Sequence, residues 1–162
     1  MIDALTRWLE STWFSNWFLD NGQWTWPLAE SLHFIGLTML IGSIGLIDLR
    51  ILGLGKGIRI VDVHALVKFT VAGFVLNLVT GSMFLTGQPD QYFLNRAFHF
   101  KLVFLALAGL NVLAFYGTTF RRLKQLGPHD EAPLAARLMA GLSLVCWIGV
   151  ICAGRLLTFY RP

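Results

Sequence analysis

The residues of this sequence best equipped for chemistry sit inside apolar runs, where an ionisable group is costly and therefore informative. Glu30 and His33 open one such run, His99 and Lys101 open another, and Arg155 lies near the end of a third. Asn77 and Thr80 lie late in a fourth, and since successive spans run in opposite directions at ~1.5 Å per residue, most of these groups fall at about one depth. Glu30 and His33 are three residues apart and share a helical face. His99 and Lys101 are two apart and point about 200° away from each other, so one can face an interior while the other faces outward. Neutral imidazole from facing helices is the usual axial ligand of a b-type haem in a helical bundle. Cations near a membrane face hold its propionates. On this reading haem b is the cofactor and His33 and His99 are the candidate iron ligands, with Lys101 competing for the second position. Arg155, Lys101 or Arg96 takes a propionate, and Glu30 orients His33 or relays a proton. Phe34, Phe98, Phe100, Phe104 and Trp147 could wall the macrocycle. Each group also has a structural alternative. His33 can bond to Glu30 or across helices, His99 can touch interfacial water, and Lys101 can pair with Glu30 or reach towards headgroups.

Such residues need a scaffold, and composition says which. Of the 162 residues, 56% are hydrophobic and 14% charged, with a mean hydropathy of +0.63. An ordinary soluble protein is about 25% charged. A soluble domain of this length could not hide so much apolar surface, whereas a lipid bilayer removes the problem. The net charge of +4 and pI of about 9.4 do not point to nucleic acid, because the basic residues cluster between apolar runs, where a membrane protein uses them for orientation. The N-terminus carries Asp3 and Glu10 and lacks the basic region and cleavage site of a signal peptide.

Four spans are predicted, at about 27–52, 63–85, 96–120 and 133–159, each long enough for a hydrocarbon core of roughly 30 Å. Pro27 suits a first helical turn, and Asp62 and Asn95 suit N-caps. The segment Gly53-Leu54-Gly55-Lys56-Gly57 stops the first span, and Gly87-Gln88-Pro89-Asp90 stops the second. Residues 4–18 read as one amphipathic helix too polar to span. Its tryptophans, with Trp24 and Trp26 beyond it, place it at the headgroup level. The predicted fold is therefore all-α, a four-helix transmembrane bundle preceded by an interfacial helix, in a single domain over 1–162. Arg50, Lys56 and Arg59 follow the first span, and Arg121, Arg122 and Lys124 follow the third. Arg7, Arg96, Arg155 and Arg161 are the basic residues of the opposite side. The positive-inside rule then puts both termini outside, periplasmic in a bacterium.

The other candidates read as structural. Asp48 could pair with Lys68 across the bundle. His64 belongs to the same inner cluster, His129 to a solvated loop, and Asn111 needs an interhelical partner. Gly73, Asn77 and Gly81 form a small-residue stripe, as do Gly149 and Ala153, suited to close packing or a homo-oligomer interface. Cys146 and Cys152 are six apart, on different sides of a helix, and match no metal or redox spacing. There is no phosphate-binding glycine loop, HExxH or GxSxG.

Four runs carry a resemblance: WPLAESLHFIGLTMLIGSIGLIDLRILGLG, GFVLNLVTGSMFLTG, FHFKLVFLALAGLNVLAF and WIGVICAGRL. Together they resemble an uncharacterised family of bacterial four-helix membrane proteins. More distantly, the pattern is similar to HemJ-type protoporphyrinogen oxidases and to the CopD membrane domain. HemJ-type proteins pair a histidine early in the first helix with a lysine early in the third, and bind b-type haem. His33 and Lys101 fall at the matching positions. Glu30 and the Trp-rich surface helix depart from that pattern, so the resemblance implies haem near His33 and Lys101 rather than the oxidase activity. The expectation is a haem b protein of the bacterial inner membrane that handles electrons near the outer face, a candidate oxidoreductase with quinone or another lipid-soluble redox partner. Two other readings stay open. One is a CopD-like transporter binding a cation at Glu30, His33 and His99. The other is a structural or assembly subunit of a membrane complex, with the Trp-rich helix as its partner surface.

Overall fold

A computed structural model describes residues 2–160, which are helical with short connections and contain no strand. Arg161, one of the basic residues weighed for orientation, lies outside them. The predicted surface helix is two helices, α1 (Ile2–Glu10) and α2 (Trp13–Asp20). Thr12 causes the break. Its hydroxyl accepts from the Ser15 amide at 3.3 Å and donates to the Leu9 carbonyl at 2.6 Å, so it ends one helix and caps the next.

The first span, α3 (Gly22–Leu52), begins five residues earlier than Pro27. Pro27 forfeits only its bond to the Gln23 carbonyl, and the helix runs through it. At the other end Gly53 adopts φ 110°, a left-handed cap, and the Leu54 amide reaches the Leu49 carbonyl at 3.0 Å. The second span is α4 (Ile60–His64) followed, after a turn, by α5 (Val67–Gly87). Asp62 is not its N-cap. Arg59 holds that position, and Asp62 lies inside α4, bound to the Arg59 guanidinium at 2.9 and 3.0 Å. The short α6 (Pro89–Phe93) leads to α7 (Arg96–Thr118), which Asn95 caps as expected by accepting from the Ala97 amide at 2.9 Å. Asn95 also donates to the Leu157 and Tyr160 carbonyls, fastening the start of α7 to the end of the last helix. The turn α8 (Phe120–Leu123) precedes the fourth span, α9 (Leu134–Leu156).

Four helical segments, Gly22–Leu52, Ile60–Gly87, Arg96–Thr118 and Leu134–Leu156, are long and apolar enough to cross a membrane. Successive spans are antiparallel. One end of the bundle therefore holds the start of α3 and the end of α9 (the termini end), and the other holds the Lys/Arg-bearing connections (the basic end). Large apolar side chains such as Leu110, Leu113, Leu138 and Ile148 point outward, as lipid requires.

The spans are not packed evenly. α3 lies against α5 and α9, and α9 against α7, whereas α5 and α7 form no comparable seam. The α3–α5 crossing is backbone on backbone. A Cβ at Gly73 would stand 2.5 Å from the Gly36 carbonyl oxygen and 2.7 Å from the Leu40 amide nitrogen. At the termini end Phe18, fully buried, fills the space over Gly87, where a Cβ would come within 2.9 Å of its ring. The Ser15 hydroxyl donates to the Thr86 carbonyl at 3.0 Å. The amphipathic helices are thus fastened to α5, while Trp8, Trp13 and Trp24 remain exposed. At the basic end Ile47, Ile51, Ile60, Leu123 and Ala136 form an apolar core. Above it Lys56 and Glu131 pair at 2.8 Å across two connections, and the Lys56 ammonium holds the Glu131 carboxyl below the usual range.

Gly73→Ala therefore destabilises the bundle by about 1–3 kcal/mol, the usual cost of overpacking. Gly109→Ala on α7, with open space around it, is neutral or stabilising. Unfolding of both variants in mixed micelles checks the contrast, and equal stabilities would refute the crossing.

Candidate functional site

Two polar levels cross the bundle, one near each end. At the termini end His33 is half-buried on α3, and its Nδ1 lies 2.7 Å from the Thr80 hydroxyl of α5. Thr80 is 1% exposed, and its hydroxyl donates to the Leu76 carbonyl at 2.8 Å. Its proton is thus committed to its own helix, so its oxygen accepts from His33 Nδ1–H. That assignment leaves Nε2 with a lone pair, the form in which histidine ligates a metal. Phe84 stands edge-on to the imidazole at 5.6 Å. The ring has room because Gly81 lies beside it: a Cβ there would sit 3.8 Å from His33 Cε1.

Lys101 of α7 is half-buried and within electrostatic reach of His33. It also rests over a glycine, with Nζ 3.9 Å from where a Gly154 Cβ would be. No hydrogen bond or salt bridge engages this ammonium among the described residues. Among the described residues no acidic side chain pairs with Lys101, which lies within electrostatic reach of the His33 imidazole.

The other sequence candidates are placed differently. His99 is exposed, with its ring against Phe98. Of the two directions open to His99 and Lys101, the interior belongs to Lys101, and the structure does not bring the two histidines together. Glu30 is exposed and accepts from Trp26 Nε1 at 3.2 Å. It does not orient His33, because Thr80 does. Its neighbour is Tyr92 of α6, whose phenol is pushed up to about 12, first by burial and then by the Glu30 carboxylate. Arg155 is exposed, with its guanidinium 5.5 Å from the Phe159 ring centroid. Phe34 and Phe100 point outward, while Phe104 packs against Gly149. Glu30, His33 and His99 do not converge, and no group of three or more His, Cys, Asp or Glu does so among the described residues.

The second level lies about 22 Å further along α3, at 1.5 Å per residue. Asp48 does not pair with Lys68, which is exposed over the Phe69 ring at 5.1 Å. The helix turns Asp48 inward and Lys68 outward, so the expected pair cannot form. Asp48 is 4% exposed, and its Oδ2 has no hydrogen-bond partner. Arg50 is buried too, but it spends its donors on the Ile58 carbonyl at 2.5 Å and the Lys56 carbonyl at 3.5 Å. His64 Nε2 and the Tyr116 hydroxyl lie 2.8 Å apart, and Asn111 finds its interhelical partner in the Met139 carbonyl at 3.0 Å. Sequence reasoning noted Thr80 only as a polar residue of the right depth. Its i−4 partner Leu76 and the facing His33 were the available signals of its role.

The architecture and these levels define a class, a multi-pass membrane protein whose bundle carries polar groups within its spans. The chain belongs to DUF6644, a family of unknown function, whose model matches residues 7–160. No curated protein and no solved structure matches it.

Thr80→Val keeps the shape of the side chain and removes the acceptor. It leaves His33 Nδ1–H without a partner, at a cost of about 1–3 kcal/mol. Side-chain nitrogen NMR of histidine-labelled protein should show one Nδ1–H tautomer for His33 in the wild type and a mixture in the variant. A mixture in both would mean that Thr80 does not fix the ring.

Proposed function

We propose that this protein is a b-type haem protein of the bacterial inner membrane that handles electrons near the outer face, with quinone or another lipid-soluble carrier as partner. The observation that supports it is the pairing of His33, held by Thr80 with Nε2 free, with the uncompensated ammonium of Lys101. The donor set fits the group. Neutral imidazole is the common protein ligand of haem iron, and the lysine offers a cation for a propionate or, deprotonated, an amine for the sixth position. Gly81 and Gly154 leave the neighbouring space unfilled by side chains. The likeness of the His33 and Lys101 positions to HemJ-type proteins points the same way. When bound, haem would supply one-electron chemistry. The protein's part is to fix the imidazole through Thr80 and to present positive charge through Lys101. His99 and Arg155, both exposed, could act only at the rim of the site.

The proposed orientation places the basic end in the cytoplasm and both termini in the periplasm. Alkaline phosphatase fused after Tyr160 should be active and fused after Lys124 inactive; the reverse pattern would invert the site to the inner face.

A reduced-minus-oxidised visible spectrum of detergent-purified protein, with pyridine haemochrome quantification, tests the function. The expected result is a Soret band with sharp reduced α and β bands that is lost in His33→Ala, altered in Lys101→Ala and unchanged in His99→Ala. A colourless protein from haem-replete cells that stays colourless after haem is added would overturn the proposal.

A further inference from the structure

The second polar level has its own chemistry, independent of the haem proposal. Asp48 lines a cavity of ≈ 30 Å³ between the spans, together with His64, Asn111, Phe115, Tyr116 and Ser143. That volume holds about one water. The cavity draws on α3, α4, α5, α7 and α9, so it lies between the spans of the basic-end half. Asp48 Oδ2 is fully enclosed and receives no hydrogen bond. The Ser143 hydroxyl is the polar side chain beside the carboxyl.

A charged carboxylate here would need a counter-ion or several donors, and the surroundings supply neither. On its own helix Arg50 is committed to the Ile58 and Lys56 carbonyls. From α4, Asp62 is exposed and bound to Arg59, and His64 is bound to the Tyr116 hydroxyl. From α5, Lys68 is turned out over Phe69. From α8 and α9, Arg121, Arg122 and Arg137 are exposed. Of these groups only His64 and Tyr116 share the cavity with Asp48. His64 stands at the end of α4 with its ring stacked on Phe120 at 4.3 Å, next to the connection that carries Lys124. An imidazole and a phenol bonded to each other thus stand between a buried acid and the basic-end surface.

We propose that Asp48 is a proton-binding site. Its carboxyl holds a proton within the bundle and exchanges it with water at the basic end through the cavity that His64 and Tyr116 line. The exchange is a simple transfer in which a hydronium ion gives its proton to Asp48 Oδ2 and is left as water, and the return step reverses this. The ligand class is a proton carried by a single water. A sodium ion takes several oxygen donors at once; beside the Asp48 carboxylate the cavity has the Ser143 and Tyr116 hydroxyls and the Asn111 amide, of which Tyr116 is bound to His64 and Asn111 to the Met139 carbonyl.

The test is infrared difference spectroscopy of the full chain in lipid nanodiscs, with and without 13C-aspartate. The expected result at neutral pH is a carboxylic-acid C=O band that shifts with the label, shifts again in D2O, and is lost in Asp48→Asn. His64→Phe should keep the band but slow its response to D2O several-fold. Asp20, Asp62, Asp90 and Asp130 are exposed. With Asp3→Asn in the labelled protein, a buried-acid band belongs to Asp48, so the test decides the matter even where Asp48→Asn does not fold. Three results would each overturn the proposal: only carboxylate bands at neutral pH, an acid band that never responds to D2O, or a carboxylate band that moves with added sodium. None of these outcomes depends on whether the protein binds haem.

Discussion

The contact on which this molecule depends is the crossing of α3 and α5 at Gly36 and Gly73. The α3 backbone lies directly against Gly73 there, and the Asn77 amide of α5 lies against Gly36. In lipid there is little hydrophobic force to drive helices together, so close van der Waals contact and polar bonds must do it. This crossing supplies the contact, and the bonds follow from it. With the helices this close, His33 reaches Thr80 at 2.7 Å on one side and Ser43 reaches Thr70 at 2.7 Å on the other. A wider spacing would take these partners from His33 and Thr70, while Thr80 and Ser43 would keep the bonds to their own helices.

The same economy explains why the two polar levels differ from the rest of the bundle. Most hydroxyls of the spans are satisfied locally, by donating to the carbonyl one turn earlier, as Thr38, Ser82 and Thr118 do. The Lys101 ammonium and the Asp48 carboxyl cannot be satisfied that way. Each is left short of partners on the inner side of its helix, one towards either end of the bundle. A cation and an acid kept towards opposite ends of the bundle in this manner do not stabilise each other.

The uneven packing has a further consequence. With α3 central, touching both α5 and α9, and with α5 and α7 lacking a seam of their own, the bundle is more open on the side between those two helices. His33 and Thr80 lie on the α3–α5 pair, and Lys101 lies on the α7–α9 pair. The proposed site therefore joins the two helical pairs, and a ligand there would contribute to holding them together.

Much of the fold was legible in the chain itself. Four apolar runs of sufficient length, the stop at Gly53 and the cap at Asn95 are local features, set by the transfer energy of side chains and by backbone conformation. The sequence also placed His33, Lys101 and Thr80 at one depth, because rise per residue is fixed. Where it failed, the missing information was rotational or depended on neighbours. Ser11 and Thr12 look like ordinary polar positions of an amphipathic helix until the Thr12 hydroxyl is seen capping the next one. Asp48 and Lys68 share a depth, but only the packed bundle shows that one turns inward and the other outward. Whether His99 or Lys101 faced the interior was open for the same reason. A helical period fixes the angle between two side chains, while the direction of the pair relative to the other helices is set by which backbones come into contact.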